Sequence, residues 1–298
     1  MLSSNLPVAS NWRILGASVT GTSHHKAGRD CDDAHAIRQL QDGPLLLAVA
    51  DGAGSVSHAA AGAKCAVRTA LDTAEAALAQ QPEDMEQWQR LLDLVLASVR
   101  MSLEQLASGE MSFPGIEHEQ SQTAEAAEDS FMVGVPLAGT LALPLYEFAT
   151  TLLVAIVTPQ WLAVTQIGDG AVVAQYADGN LEALTWPDHG EYVNETSFIT
   201  NANYGQHIQY CILSEKDLLG IALFTDGIER LVLNFATKTP GKSFFTSMFQ
   251  FVARAEASEG ELAAFLASER VCELTDDDKT LVLAVRNMRQ AGATFGDV

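Results

Sequence analysis

Short apolar runs are spread along the whole chain, and two long amphipathic stretches interrupt them. The runs cover residues 14–20, 45–50, 150–158, 161–167, 171–176, 208–213, 219–225 and 280–286. They are rich in Val, Ile, Leu and Thr, and most are bounded by Gly, Asp, Asn or Pro, which is the signature of strands. The amphipathic stretches, 59–80 and 86–107, repeat apolar residues at i, i+3, i+4 and i+7, as a helix with one buried face does. Gln81-Pro82 separates them, which predicts an antiparallel helix pair. Two further helices are read at 242–257 and 260–268. This order of strands, helix pair, strands, helices and a last strand cannot be cut into two self-contained halves. It predicts an α+β domain of mainly antiparallel sheets covered by helices.

Local chemistry agrees. "VTPQWLAV" and "YADGNLEAL" read as hairpin connections, the second with Asp178-Gly179 as its turn. Residues 108–130, "SGEMSFPGIEHEQSQTAEAAEDS", are acidic, polar and weakly periodic, and read as a surface insertion. The chain's 298 residues are ample for a sizeable core. Its net charge of −21 argues against nucleic-acid binding, which needs clustered Lys and Arg. The four cysteines show no CxxC or Cys/His spacing, so neither zinc nor a disulfide framework is expected. The N-terminus lacks a signal-peptide pattern, and no stretch approaches the roughly 18 uninterrupted apolar residues of a spanning helix. The expectation is a soluble, cytoplasmic protein with no membrane partner.

Carboxylates recur at the tips of the strands. "LLLAVADGAGS" ends in Asp51-Gly52 and "LGIALFTDGIER" in Asp226-Gly227. Asp169 follows another run in "VTQIGDGAV". Asp32 and Asp33 precede a strand in "CDDAHAI", and Asp276, Asp277 and Asp278 precede the last one in "LTDDDKTLVLAV". Taken singly, each is ordinary turn chemistry. Taken together, they predict a site for a hard cation such as Mg²⁺ or Mn²⁺, which takes oxygen ligands. Carboxylates gathered in space repel one another unless a cation lies between them. Glycine after the aspartate lets backbone or a ligand approach closely.

The motifs "TSHHKAGRDCDD", "VADGAGS", "QIGDG", "LFTDGIER" and "DDKTLVLAV", in this order, resemble the type 2C metal-dependent serine/threonine protein phosphatases. The first motif and "GEYVNETSFIT" resemble a bacterial branch of that family. The resemblance implies an α-β-β-α sandwich over residues 12–288, preceded by an extension (1–11) and followed by a tail (289–298). It implies two Mn²⁺ or Mg²⁺ ions and a third, weaker site. Asp33, Asp51, Asp226 and Asp277 match the metal ligands, with Asp51 bridging and the Gly52 carbonyl completing one coordination sphere. Asp32 matches a carboxylate acting through water, and Asp169 one at the third site. Asp276 or Asp278 could exchange with Asp277 by a one-residue shift.

By the same resemblance, a metal-bridging water attacks phosphorus directly, with no phosphoenzyme, and Asp33 and Asp51 are catalytic through the water they help to hold. The substrate would be a phosphorylated protein, and a monomer is favoured. The family's phosphate-binding arginine falls at Gly28; Lys26 and Arg29 stand beside it, Lys26 slightly favoured. A histidine that some members carry after the first Asp-Gly is replaced by Ala53. His58 starts a helix, His24 is read as structural, and His189, Glu191 and Asn194 belong to a flap-like segment. Two other readings stay open: an inactive member serving as a scaffold, and a hydrolase of small phosphoesters.

Overall fold

The computed structural model describes residues 12–41, 43–111, 142–188, 196–214 and 217–286. Its strands are β1 (Trp12–Val19), β2 (Ala34–Gln39), β3 (Leu45–Ala50), β4 (Leu152–Val157), β5 (Trp161–Ile167), β6 (Ala171–Tyr176), β7 (Leu181–Ala183), β8 (Gln209–Ser214), β9 (Leu218–Phe224), β10 (Leu233–Asn234), β11 (Thr239–Pro240) and β12 (Lys279–Arg286). The helices are α1 (Thr22–Ala27), α2 (Ala59–Leu78), α3 (Met85–Ser108), α4 (Glu229–Val232), α5 (Lys242–Ala253), α6 (Glu259–Leu266) and α7 (Glu269–Cys272).

Two five-stranded sheets stack face to face, in the orders β1-β12-β9-β6-β7 and β2-β3-β4-β5-β8, and their neighbouring strands are antiparallel. Alternation decides which residues meet between them. Leu45, Leu47 and Val49 of β3 and Leu153 and Ala155 of β4 face Ile221 and Leu223 of β9 and Val282 and Ala284 of β12. Each such Leu or Val side chain contributes about 1.5–3 kcal/mol relative to an exposed one. The intervening residues point outward. Leu46 and Ala48 of β3 and Val154 and Ile156 of β4 pack under α2 and α3. Ala222, Phe224, Leu281 and Leu283 pack under α5 and α6. The strands are therefore apolar on both faces and read as near-continuous apolar runs.

The expected hairpins are β4–β5 and β6–β7, with Gly179 at φ +81° in the second turn. α2 and α3 pack against each other on either side of Gln81-Pro82. The stretch read as one helix over 242–257 ends at Ala253, and the next begins at Glu259. Ser258 and Glu261 form a reciprocal capping box there, satisfying donors that would otherwise be orphaned. Residues 112–130 of the acidic insertion lie outside the described residues, as do His189, Glu191 and Asn194, while Ser108 ends α3.

Candidate metal centre

Antiparallel pairing brings the chosen carboxylates to one end of both sheets. Asp33 precedes β2 and Asp51 follows β3, and these two strands are hairpin partners. Asp169 follows β5, whose end pairs with the start of β4, beside the end of β3. Asp226 follows β9, whose end pairs with the start of β12, just after Asp277 and Asp278.

Asp51, Asp169 and Asp226 present carboxylate oxygens that all lie within 4.8 Å of one another. Asp51 is fixed through its backbone. Its N–H donates to Thr151 Oγ1 (2.9 Å), and its carbonyl accepts from Thr150 Oγ1 (2.9 Å) and the Thr151 N–H (2.8 Å). Asp33 is fixed through its side chain: Oδ2 accepts from Thr225 Oγ1 at 2.8 Å, and that hydroxyl accepts the Thr280 N–H at 3.0 Å. Thr280 is the threonine of the last motif; its hydroxyl also bonds the Asp33 carboxylate and is hydrogen-bonded to Ser18 Oγ at 2.7 Å, which gives it a local reason. Asp169 accepts a bond from Thr196 Oγ1. Arg100 of α3 holds the backbone just beyond, donating to the Ile199 and Asn201 carbonyls at 2.8 and 2.6 Å.

The electrostatics are those of an anionic cage. Burial, then the neighbouring charges of Asp33 and Asp226, pushes the Asp51 carboxyl well above its usual range. Burial also raises Asp33, with Asp226 and Asp278 adding repulsion. Asp226 rises through burial and the charges of Asp169 and Asp277. The Oδ1 atoms of Asp33 and Asp226 are buried without a hydrogen-bond partner. Such oxygens are costly without a donor or cation, so this donor set fits hard divalent ions.

Both Asp-Gly glycines are required by close approach. A Cβ on Gly227 would lie 1.8 Å from the Asp278 carbonyl oxygen. One on Gly52 would lie 2.7 Å from the Ala59 backbone and 2.8 Å from the Asp32 carbonyl oxygen. Neither position has room for a side chain.

The three adjacent aspartates separate by direction. Asp277, like Asp276, borders the pocket that Asp226 and Glu229 line, and its charge is one of those that raise Asp226. Asp278 turns inward: its Oδ1 accepts the Gly21 N–H (2.6 Å), and its Oδ2 accepts the Asp32 N–H (2.5 Å) and His24 Nδ1 (2.9 Å). Asp276 is exposed and uses its carbonyl to hold Ser23. Asp32 is engaged by protein. Its Oδ2 accepts from Arg29 Nη2 at 2.6 Å, and the carboxylate also takes the Ala60 N–H at the start of α2. Burial raises its pKa, and Arg29 and His24 pull it back.

Of the two basic candidates, Lys26 is exposed on α1. Arg29 lies across Asp32 and the Gly54 carbonyl (2.6 Å). Ala53 is buried, its N–H bonded to the Ala149 carbonyl at 2.9 Å. His58 precedes α2, its ring 5.3 Å from Phe148. Glu229 is the site residue that sequence reasoning did not single out. It lies one helical turn past Asp226, buried, and burial with the charges of Asp226 and Asp169 pushes it up to about 8. The i, i+3 spacing in "TDGIER" carries that signal.

Fold and site together define a two-sheet α-β-β-α sandwich with an acidic cation cage at one end of its strands. The chain belongs to the protein phosphatase 2C family, whose model matches residues 20–267. It is 36% identical over 284 residues to serine/threonine-protein phosphatase 3 of Escherichia coli strain K12, covering 92% of this chain and 98% of that protein. The fold is shared with serine/threonine phosphatase Stp1 from Staphylococcus aureus (TM-score 0.56, 14% identity, 96% of this chain and 99% of that one). It is also shared with a bacterial serine phosphatase (TM-score 0.55, 14% identity, 92% and 97%). Among the described residues, no helix is long and apolar enough to cross a membrane.

Proposed function

We propose that this chain is a Mn²⁺- or Mg²⁺-dependent phosphatase that hydrolyses phosphoserine and phosphothreonine in proteins. The observation that carries the reading is the cage itself: converging carboxylates whose burial and mutual repulsion disfavour their charged forms, two of them with an unpartnered buried oxygen. Asp33, Asp51, Asp226 and Asp277, with the Gly52 carbonyl, would hold two ions. Asp169, with Glu229 beside it, would serve a third. When bound, the ions supply Lewis-acid polarisation of the phosphoryl group and a water of lowered pKa.

The protein's own groups do the rest. Thr225 and the Thr150-Thr151 pair keep Asp33 and Asp51 aimed without reorganisation. Arg29, at the rim, offers its guanidinium to the phosphate oxygens, a planar match for a bidentate anion. Lys26 is exposed on α1, whereas Arg29 is held at the rim by Asp32 and the Gly54 carbonyl, so Arg29 is the better candidate. With alanine at position 53, no imidazole follows the first Asp-Gly to protonate the leaving alkoxide.

The test is hydrolysis of a phosphothreonine peptide with Mn²⁺, with EDTA, and by Asp51→Ala. Activity should require metal and fall by orders of magnitude in the variant. Metal-independent turnover, or an unimpaired variant, would overturn the reading. Equal or better turnover of nucleotides and sugar phosphates would move the substrate class to small phosphoesters.

A further inference from the structure

One buried histidine stands behind the rim of the site. His24 sits in the middle of α1, and its Nδ1 donates to Asp278 Oδ2 at 2.9 Å. A carboxylate only accepts, so Nδ1 carries a proton and Nε2 is the nitrogen turned away from Asp278. That Nε2 lies 3.8 Å from Asp32 Oδ2. A Cβ built on Gly54 would meet the same atom at 3.6 Å. Asp32 and the Gly54 carbonyl grip Arg29 most closely, each at 2.6 Å, with the Val56 carbonyl further off at 3.4 Å. The imidazole therefore lies against both residues that hold the guanidinium, beside the Asp32 carboxylate and the Cα of Gly54.

Asp278 completes the arrangement. Besides His24, it receives the backbone N–H groups of Gly21 and Asp32, so one carboxylate closes both ends of the segment that carries α1 and Arg29. α1 ends at Gly28 in the left-handed region (φ 67°), and this turn sends Arg29 back over Asp32. The guanidinium carries five N–H donors. Its contacts with Gly54, Asp32 and Val56 engage three of them, so donors remain for an anion. Two of the metal carboxylates are aimed independently of this clasp. Asp33 is aimed by Thr225, and Asp51 by Thr150 and Thr151.

We propose that His24 is a positioning residue for phosphate recognition: clasped by Asp278, it backs Asp32 and Gly54 so that Arg29 is presented to the substrate phosphate. The proposal rests on Arg29 being the phosphate-binding residue. Its consequence is a separation of effects. Loss of His24 weakens the grip on phosphate and leaves the metal cage intact.

The experiment uses the full chain. Inhibition by inorganic phosphate and KM for a phosphothreonine peptide are measured with saturating Mn²⁺, and Mn²⁺ affinity is measured separately by calorimetry. Arg29→Ala should raise the phosphate inhibition constant by about 10- to 100-fold, the factor a charge-assisted hydrogen bond corresponds to. His24→Leu, which deprives Asp278 of one donor, should raise it and KM by about tenfold, with kcat little changed and Mn²⁺ affinity within about twofold. His24→Asn, whose amide nitrogen takes the place of Nδ1, should recover most of the loss. If His24→Leu does not fold, His24→Gln serves in its place, since its amide reaches past Asp278.

Mn²⁺ and phosphate affinity falling together would overturn the proposal, because that is the mark of general structural support. An impaired Arg29→Ala beside an unchanged His24 variant refutes the clasp alone. An unchanged Arg29→Ala refutes the phosphate reading of Arg29 and the clasp with it.

Discussion

Replacing the central carboxylate should make the metal-free protein more stable while destroying its ability to hold metal. Asp51, Asp169 and Asp226 have oxygens within 4.8 Å of one another. Two unit charges at that distance repel by about 3 kcal/mol at an effective dielectric constant of about 20. Asp51 also feels Asp33, and partial protonation relieves part of the repulsion. Asp51→Asn keeps the shape and removes the charge, so a gain of about 2–4 kcal/mol is expected at pH 8 in EDTA. For a domain of this size that corresponds to a rise in Tm of roughly 5–15 °C. The order should reverse in Mn²⁺. The wild type gains RT ln(1 + [L]/Kd) from its ions, and the variant, lacking the Asp51 carboxylate, gains little. Thermal melts of both proteins, with EDTA and with Mn²⁺, read out all four values. A variant that melts below wild type in EDTA at pH 8, or that Mn²⁺ stabilises as much as wild type, would refute the repulsive-cage argument.

Other outcomes follow from the same geometry. The folded pKa values of Asp33, Asp51 and Asp226 lie above their unfolded ones, so the folded metal-free state binds more protons and its stability should fall as pH rises from about 4 to about 8. Mn²⁺ affinity should rise over the same window, since binding expels those protons; calorimetry in buffers of different ionisation heat measures both, and pH-independent affinity would contradict the shifts. Asp277→Ala should weaken Mn²⁺ binding with little change in metal-free Tm, whereas Asp278→Ala should cost at least about 3 kcal/mol of stability by orphaning three buried donors. Equal effects of the two substitutions in melts and in metal titrations would show that their directions have been misassigned.

The strand-tip carboxylates were legible because each follows or precedes an apolar run, and antiparallel pairing forces such tips to one end. The choice among Asp276, Asp277 and Asp278 was not legible. Adjacent residues at a strand entrance point to opposite sides, and only the position of Gly21, His24 and Asp32 shows which side is the interior. α1 was not legible because "TSHHKA", Thr22–Ala27, is polar and has no apolar period; the segment is held instead by Ser23 bonding to the Asp276 carbonyl. That helix also turns Lys26 outward and sends Arg29 back across Asp32, an orientation that the sequence could not show. Glu229 was hidden because a glutamate in the first turn of a short helix is ordinary, and its burial depends on the sheet beneath it.

The bonds that aim these residues span much of the chain. Thr225 reaches Asp33 across 192 positions, and Asp278 reaches Asp32 across 246. Contacts of such separation close late and slow folding, because their loop entropy is lost before the contacts form. During synthesis, Asp33 and Asp51 leave the ribosome long before the segments that aim them. A nascent chain therefore carries the early ligands but no working cage until β12 docks between β1 and β9. Metal capture then becomes a report that the last strand is in place, and a chain stalled or cut before residue 277 should stay catalytically silent however well its first sheet has formed.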